Sequence, residues 1–342
     1  MKTKIKRYRV SKINLNSKSP PPIDKNVNYD KPILAFIVPF YNEEEIILKS
    51  LTIFYNKLIS LNNIINNKSF IIFVNDGSTD NSKNLLKSNI KNNTVIISLS
   101  KNKGHQNALL AGMEYAKDKC DFAISIDCDL EQDINKVDEF IEHFKNGSEI
   151  VFGVRENRNS DNLFKKLSAI SFYKIMKFFG VNIIENHADY RLLSNRALNL
   201  ISSYREVNLF LRGMFLELGL KHSIVYFKVS KRDAGKSKYT LKKMLSLALN
   251  GITSFSLTPL RLVSLLGFII SFVSALFVIY GIAMAIFSSS VVPGWASTIV
   301  PIYFLGGLQI FSLGIIGEYI GKIYLETKSR PRYLIKDIIE KF

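Results

Sequence analysis

Cysteine, tryptophan and histidine are scarce in this chain of 342 residues, and each scarcity excludes something. Two cysteines, Cys120 and Cys128, cannot build a disulfide framework, and they lack the paired spacing of a zinc site. They read as small buried residues in a reducing compartment. Of four histidines, His105 opens a helical pattern, where capping or packing suits it better than metal ligation. No apolar run follows the basic residues at the start, so a secretory signal peptide is excluded there and the soluble part is expected in the cytosol. Acid is scarce in the same place: Lys2, Lys4, Lys6, Arg7, Arg9, Lys12, Lys18, Lys25 and Lys31 face only Asp24 and Asp30. Residues 1–31, which include Pro20-Pro21-Pro22, read as a disordered basic arm.

The longest absence is of charge itself. From Leu262 to Gly317 there is no Asp, Glu, Lys or Arg, enough for two bilayer crossings of about 20 residues each. A transmembrane hairpin over 259–325 is expected, with spans at about 262–287 and 299–319 and a turn at Ser288-Ser289-Ser290, Pro293, Gly294 and Trp295. Lys242, Lys243 and Arg261 precede it; Lys322, Lys328, Arg330 and Arg332 follow, ahead of a tail over 326–342. The positive-inside bias puts both ends in the cytosol. A buried hairpin in a soluble core is the competing reading, and so long an uncharged stretch disfavours it.

The formal charge of +17 is compatible with nucleic acid, anionic lipid or an acidic substrate. Its placement decides between them. Basic residues gather at the arm, at Leu163 to Phe179 and at Leu241 to Leu257, beside the apolar hairpin, and form no aromatic-studded stripe. Nucleic acid is therefore excluded as a partner. The segments at about 163–180 and 241–258 are expected to lie as amphipathic helices in the membrane interface, ordinary packing being the alternative.

Between Lys31 and Val154, β-rich runs alternate with helical patterns: 33–38, 43–61, 70–74, 82–88, 95–99, 106–117 and 122–126. That alternation predicts an α/β fold with a mainly parallel sheet and helices on both faces. Ligands of such sheets bind at the carboxyl ends of the strands. Three polar clusters stand there: Pro39-Phe40-Tyr41-Asn42-Glu43, Asn75-Asp76-Gly77-Ser78 and Asp127-Cys128-Asp129. Asp127 and Asp129 can share one hard divalent cation and leave positions for substrate phosphates. Asp76 can hold a nucleotide's base or ribose, or serve only a turn. Asn42 can line the same pocket or cap the helix expected from Glu43.

In this order the motifs Val38-Pro39-Phe40-Tyr41-Asn42-Glu43, Asn75-Asp76-Gly77-Ser78, Gly104-His105-Gln106, Asp127-Cys128-Asp129, Ala188-Asp189-Tyr190-Arg191 and Ala234-Gly235-Lys236-Ser237 resemble the family 2 glycosyltransferases of GT-A fold. The closer similarity is to their polyprenyl-phosphate branch, which includes bactoprenol glucosyltransferases and dolichol-phosphate mannose synthases. It runs from about Ile33 to Tyr333, with a GT-A domain over 32–240. The resemblance implies transfer of a hexose from a UDP- or GDP-linked sugar to a polyprenyl phosphate, with inversion, at the inner membrane of a bacterium. Asp127 and Asp129 would bind Mg2+ or Mn2+ and the diphosphate; Glu131 stands where mannose synthases often have glutamine, which leaves open whether it is a third metal ligand. Pro39, Tyr41, Asn42, Glu43 and Asp76 would line the nucleotide site, and Asp189 falls on the family's proposed catalytic aspartate. Arg155, Arg212, Lys236 and Ser237 fit the lipid phosphate. Asn75 departs from relatives that carry a second aspartate there. A homo-oligomer is compatible with this reading. A processive polysaccharide synthase is disfavoured because the only tryptophan lies outside any Gln-x-x-Arg-Trp motif. A non-catalytic lipid-binding adaptor is opposed by the intact acidic residues.

Overall fold

The first apolar run becomes strand β1 (Leu34–Phe40), and its alternation shows why the sheet needs cover on both sides. Leu34, Phe36, Val38 and Phe40 enter one apolar cluster while Ala35 and Ile37 enter another. Successive strand side chains point to opposite faces, so a strand apolar at every position is buried twice. In this computed structural model, residues 31–156, 174, 176–180, 183–229, 252–253, 256–287 and 295–342 are described. Their strands are β1, β2 (Phe70–Asn75), β3 (Thr94–Leu99), β4 (Phe122–Ser125), β5 (Ile150–Arg155), β6 (His187–Ser194), β7 (His222–Phe227) and β8 (Ile335–Lys341). They form one sheet in the order β7-β5-β6-β4-β1-β2-β3-β8.

The central pairs β1/β2, β2/β3 and β1/β4 are parallel, as expected of a strand–helix alternation. Strand β6 breaks the rule by running antiparallel between β4 and β5. Helices α1 (Ile47–Ser60), α2 (Ser82–Ser88) and α4 (Val137–Lys145) cover one face through Leu51, Phe54, Leu58, Leu86, Phe140 and Phe144. Helices α3 (His105–Ala116), α5 (Asn195–Ser203) and α6 (Leu211–Glu217) cover the other through Leu109, Met113, Leu198, Ile201, Met214 and Phe215. Each fully buried Phe or Leu contributes about 2 kcal/mol. Helix α3 lies so close to β1 that a Cβ at Gly112 would stand 2.4 Å from Cγ2 of Ile37. Both cysteines are free and buried, as read from the sequence.

Three expectations change. The helix expected from Glu43 begins at Ile47, because Asn42 turns left-handed (φ 53°) and residues 43–46 form a turn. Residues 326–342 are not simply a tail: Ile335–Lys341 runs antiparallel along β3 and covers an edge that would otherwise be open. Ile338 and Ile339 pack on opposite faces of the sheet, Asp337 meets Lys83 at 2.7 Å, and Glu340 accepts from Tyr115 at 2.6 Å. The expected hairpin corresponds to helices α7 (Thr258–Phe287) and α8 (Trp295–Thr327), each extending past its expected span. Among the described residues one stretch, Phe304–Thr327, is long and apolar enough to cross a membrane, and Thr258–Ile270 is a shorter apolar stretch. The turn 288–294, the arm 1–30 and most of the segments 163–180 and 241–258 lie outside the described residues.

Replacing Ile339 by Asp puts a carboxylate against the core and should cost about 2 kcal/mol. Thermal unfolding in detergent should show a lowered Tm; an unchanged Tm would mean that β8 contributes nothing to the sheet.

Candidate active site

The chain turns back on itself between β3 and β4: β1, β2 and β3 progress to one side, and β4 is laid on the other side of β1. Such a switch point is where open α/β sheets bind ligands. The pairing of β4 with β1 stops at Ile37 and Ser125, although β1 runs on to Phe40. Pro39 sits in that unpaired stretch on the β4 side, so its missing N–H interrupts no ladder there. The gap opens between Tyr41 and Asp127.

The loops around the gap are tied by side chains. Asn42 does not cap α1, whose N-cap is Ile46. Instead its amide oxygen accepts the N–H of Thr79 at 2.9 Å, and its own N–H donates to Ser78 Oγ at 3.0 Å. Glu43 N–H donates to Ser82 Oγ at 2.9 Å. Asp76 is buried, and its two oxygens accept the N–H groups of Lys103 (2.7 Å) and Gly104 (2.9 Å). Burial pushes its carboxyl up against the pull of those two bonds. Gly77 makes the approach feasible: at φ 68°, a Cβ there would stand 2.5 Å from the Lys101 carbonyl carbon. Asp76 thus fixes the loop that delivers His105, the first residue of α3.

His105 stands between two carboxylates. Its Nε2 lies 3.4 Å from Asp127 Oδ1 and 3.5 Å from Asp189 Oδ2. The ring is still 42% exposed; its crowded setting opposes charge, but the bond to Asp189 and the charges of Asp127 and Asp189 outweigh that and raise its pKa. Asp127 is gripped by Gln132, whose amide donates to Oδ2 at 2.6 Å and accepts the Asp127 N–H at 3.0 Å. Asp127 Oδ1 is buried and makes no hydrogen bond. Burial pushes this carboxyl up to about 6; His105 and Arg155 pull it down, and Asp189 and Asp129 push it further up.

Asp189 behaves in the opposite way. It pairs with the fully buried Arg191 and, at 3.4 Å, with Arg212. Burial alone would raise its pKa, yet Arg212, Arg191 and His105 hold it well below the usual carboxylate range. A carboxylate so held is a poor proton acceptor.

The donor set suits a hard divalent cation. Asp127 presents a buried oxygen with no hydrogen bond, two residues from the carboxylate of Asp129. Yet among the described residues no three His, Cys, Asp or Glu side chains are grouped to hold an ion. Asp127, Asp129 and Glu131 therefore form no ready-made cage. Leu130 between them is left-handed (φ 59°), and Asp129 Oδ1 accepts the Glu131 N–H at 3.2 Å. Mg2+ and Mn2+ are commonly held by one or two carboxylates, with substrate phosphates completing the shell.

Of the residues singled out in the sequence, Asp189 and Arg212 are in direct contact, Asp127 is joined to them through His105, and Arg155 is close enough for its charge to act on Asp127. Lys236 and Ser237 lie outside the described residues. From the sequence His105 was expected to cap or pack, and Arg191 and Gln132 carried no assigned role; the structure puts all three in the site. Arg191 carried a signal, since residues two apart on a strand share a face and Asp189 is its neighbour in that sense.

Two outcomes follow from this geometry. Asp189→Ala leaves the buried Arg191 unpaired and should lower stability by about 3 kcal/mol. A Tm equal to that of the wild type would contradict the pairing. Below pH 6 a cation must displace a proton from Asp127, so Mn2+ affinity in the presence of UDP or GDP should fall as pH drops from 7 to 5. Calorimetry showing the same affinity at both ends would remove Asp127 from the ligand set.

Residues 35–201 match the family described as Glycosyl transferase family 2. The chain is 45% identical over 310 residues to the uncharacterized glycosyltransferase YkoT of Bacillus subtilis, covering 89% of this chain and 91% of the relative. It is 37% identical over 306 residues to the bactoprenol glucosyl transferase of Shigella phage SfX, covering 89% and 98%. Among solved structures, glucosyl-3-phosphoglycerate synthase from Mycobacterium tuberculosis is similar at 16% identity and a TM-score of 0.44, covering 66% and 78%. With relatives this similar over nearly their whole length, the chain belongs to the family 2 glycosyltransferases, and its α/β sheet is GT-A-like.

Proposed function

We propose that this glycosyltransferase moves a hexose from a UDP- or GDP-linked sugar onto a polyprenyl phosphate, undecaprenyl phosphate being preferred, at the cytosolic face of a bacterial inner membrane. The observation that carries the reading is that His105 meets Asp127 on one side and, on the other, Asp189 with its cations Arg191 and Arg212. A donor diphosphate needs the acidic side and its cation; an acceptor phosphate needs the basic side. The similarity to bactoprenol glucosyl transferases supports the lipid acceptor.

In this reading a phosphate oxygen of the acceptor attacks the anomeric carbon, and the bond from that carbon to the donor's β-phosphate oxygen breaks with inversion. Mg2+ or Mn2+ bound by Asp127 and Asp129 would neutralise charge on the leaving diphosphate. The acceptor is already anionic at neutral pH, so no strong base is needed. Asp189, held well below the usual carboxylate range, fits this chemistry by orienting Arg212 and His105 rather than by taking a proton. Tyr41 and Glu43 would border the nucleotide directly, while Asn42 and Asp76 would shape its pocket through the loops they tie. Arg155 and Arg212 would receive the acceptor phosphate.

A two-span anchor is part of the proposal. Strand β7 precedes α7, strand β8 follows α8, and both belong to the sheet that carries the site. A chain that leaves and rejoins one sheet crosses a bilayer an even number of times. The charge-free stretch from Leu262 to Gly317 is long enough for two crossings.

Membranes containing the protein, incubated with radiolabelled sugar nucleotides and undecaprenyl phosphate, should yield a labelled lipid with one or more donors. Asp127→Asn or excess chelator should abolish the label. No label with any UDP- or GDP-hexose, or full labelling after chelation, would overturn the proposal.

A further inference from the structure

The last turn of α8 meets the sheet domain through Glu326. Glu326 Oε1 accepts the backbone N–H of Val207 at 2.7 Å and of Asn208 at 3.2 Å. Just beyond the helix, Arg332 donates to the Tyr204 carbonyl at 2.7 Å. These partners lie in the loop 204–210 that joins α5 to α6. The far end of that loop is pinned as well. Phe210 is buried in a small cluster with Met176 and Ile252, and the Leu211 N–H donates to Gln106 Oε1 at 2.8 Å. Arg212 comes next and reaches Asp189 at 3.4 Å. Gln106 itself follows His105 in the first turn of α3. One short loop therefore connects the foot of an apolar helix to the cationic side of the site.

The helix is longer than a membrane requires. Its 33 residues span about 50 Å, against about 30 Å of hydrocarbon. The turns from Glu318 onward restore charge to the chain after the uncharged stretch, and Glu326 lies where the helix meets the sheet domain. A carboxylate receiving two N–H groups gives charge-assisted bonds, stronger and more directional than neutral ones.

We infer that Glu326 is a positioning residue that sets Arg212 at a fixed place relative to α8, so that the phosphate of a membrane-borne acceptor meets the guanidinium. The inference rests on the lipid-phosphate acceptor proposed above. Its effect is on the acceptor, because the loop that Glu326 holds runs directly into Arg212.

The test uses the full-length protein in membranes or detergent with Glu326→Ala and Glu326→Gln. Glutamine keeps an oxygen at the same reach and can still accept both N–H groups. Glu326→Ala should raise the KM for undecaprenyl phosphate about tenfold, with donor KM within about twofold of wild type. Glu326→Gln should restore most of the acceptor KM. Amide exchange at Val207 and Asn208 should quicken in Glu326→Ala and stay slow in Glu326→Gln, a readout that needs no acceptor. An unchanged acceptor KM in Glu326→Ala would overturn the inference, as would equal losses for donor and acceptor or a Gln variant as impaired as the Ala variant. A wild-type protein that labels no lipid phosphate would instead overturn the acceptor reading, and the exchange measurement would still decide whether Glu326 holds the loop.

Discussion

The buried pair between Asp189 and Arg191 is the contact on which the rest of the site depends. Arg191 is fully buried, stacked 4.7 Å from the ring centroid of Phe215, and its Nε and one terminal nitrogen make no hydrogen bond. Among the described residues, the Asp189 carboxylate and the Ala188 carbonyl receive it. Because the carboxylate also meets Arg212 and His105, one interaction joins β6, α6 and α3, and through His105 it reaches Asp127 after β4. Removing a partner from such a pair strands a charge in a place that water does not reach. For this reason lost activity in an Asp189 variant does not by itself identify a proton acceptor.

The two carboxylates on either side of His105 are driven in opposite directions by their neighbours. Asp189 is surrounded by guanidinium groups and stays charged, whereas Asp127, half-buried beside other acids, is pushed to about 6. In the proposed function, the unsettled carboxylate would take the cation and the settled one would orient the cations that meet an anion. That division matches the two charged substrates of a transfer between phosphates.

Much of the fold was legible because β1 to β4 and their helices follow one another locally, with apolar runs of the right length and polar clusters at each strand end. Strand β8 was not legible. Ile335–Lys341 mixes charge with isoleucine, and only pairing with β3, more than two hundred residues earlier, makes it a strand. Strand β6 was hidden in the same way, since His187–Ser194 runs antiparallel between β4 and β5 and the sequence carries no mark of that insertion. In the site, Asp127 and Asp129 announced themselves by position, but the roles of Asn42 and Asp76 depended on loops meeting across the gap. His105 was read as a cap or core residue, and its place between two carboxylates became evident only when α3, β4 and β6 were brought together.

The central proposal is that Asp127 and Asp129 hold a cation tightly only in company with the donor's diphosphate, since no third acidic, His or Cys ligand is grouped with them among the described residues. The most direct measurement is Mn2+ binding to the purified protein, by electron paramagnetic resonance, with and without a nucleoside diphosphate. The account predicts weak binding alone, tightened at least about tenfold by UDP or GDP. Equal affinity with and without nucleotide, or no binding in either case, would contradict it.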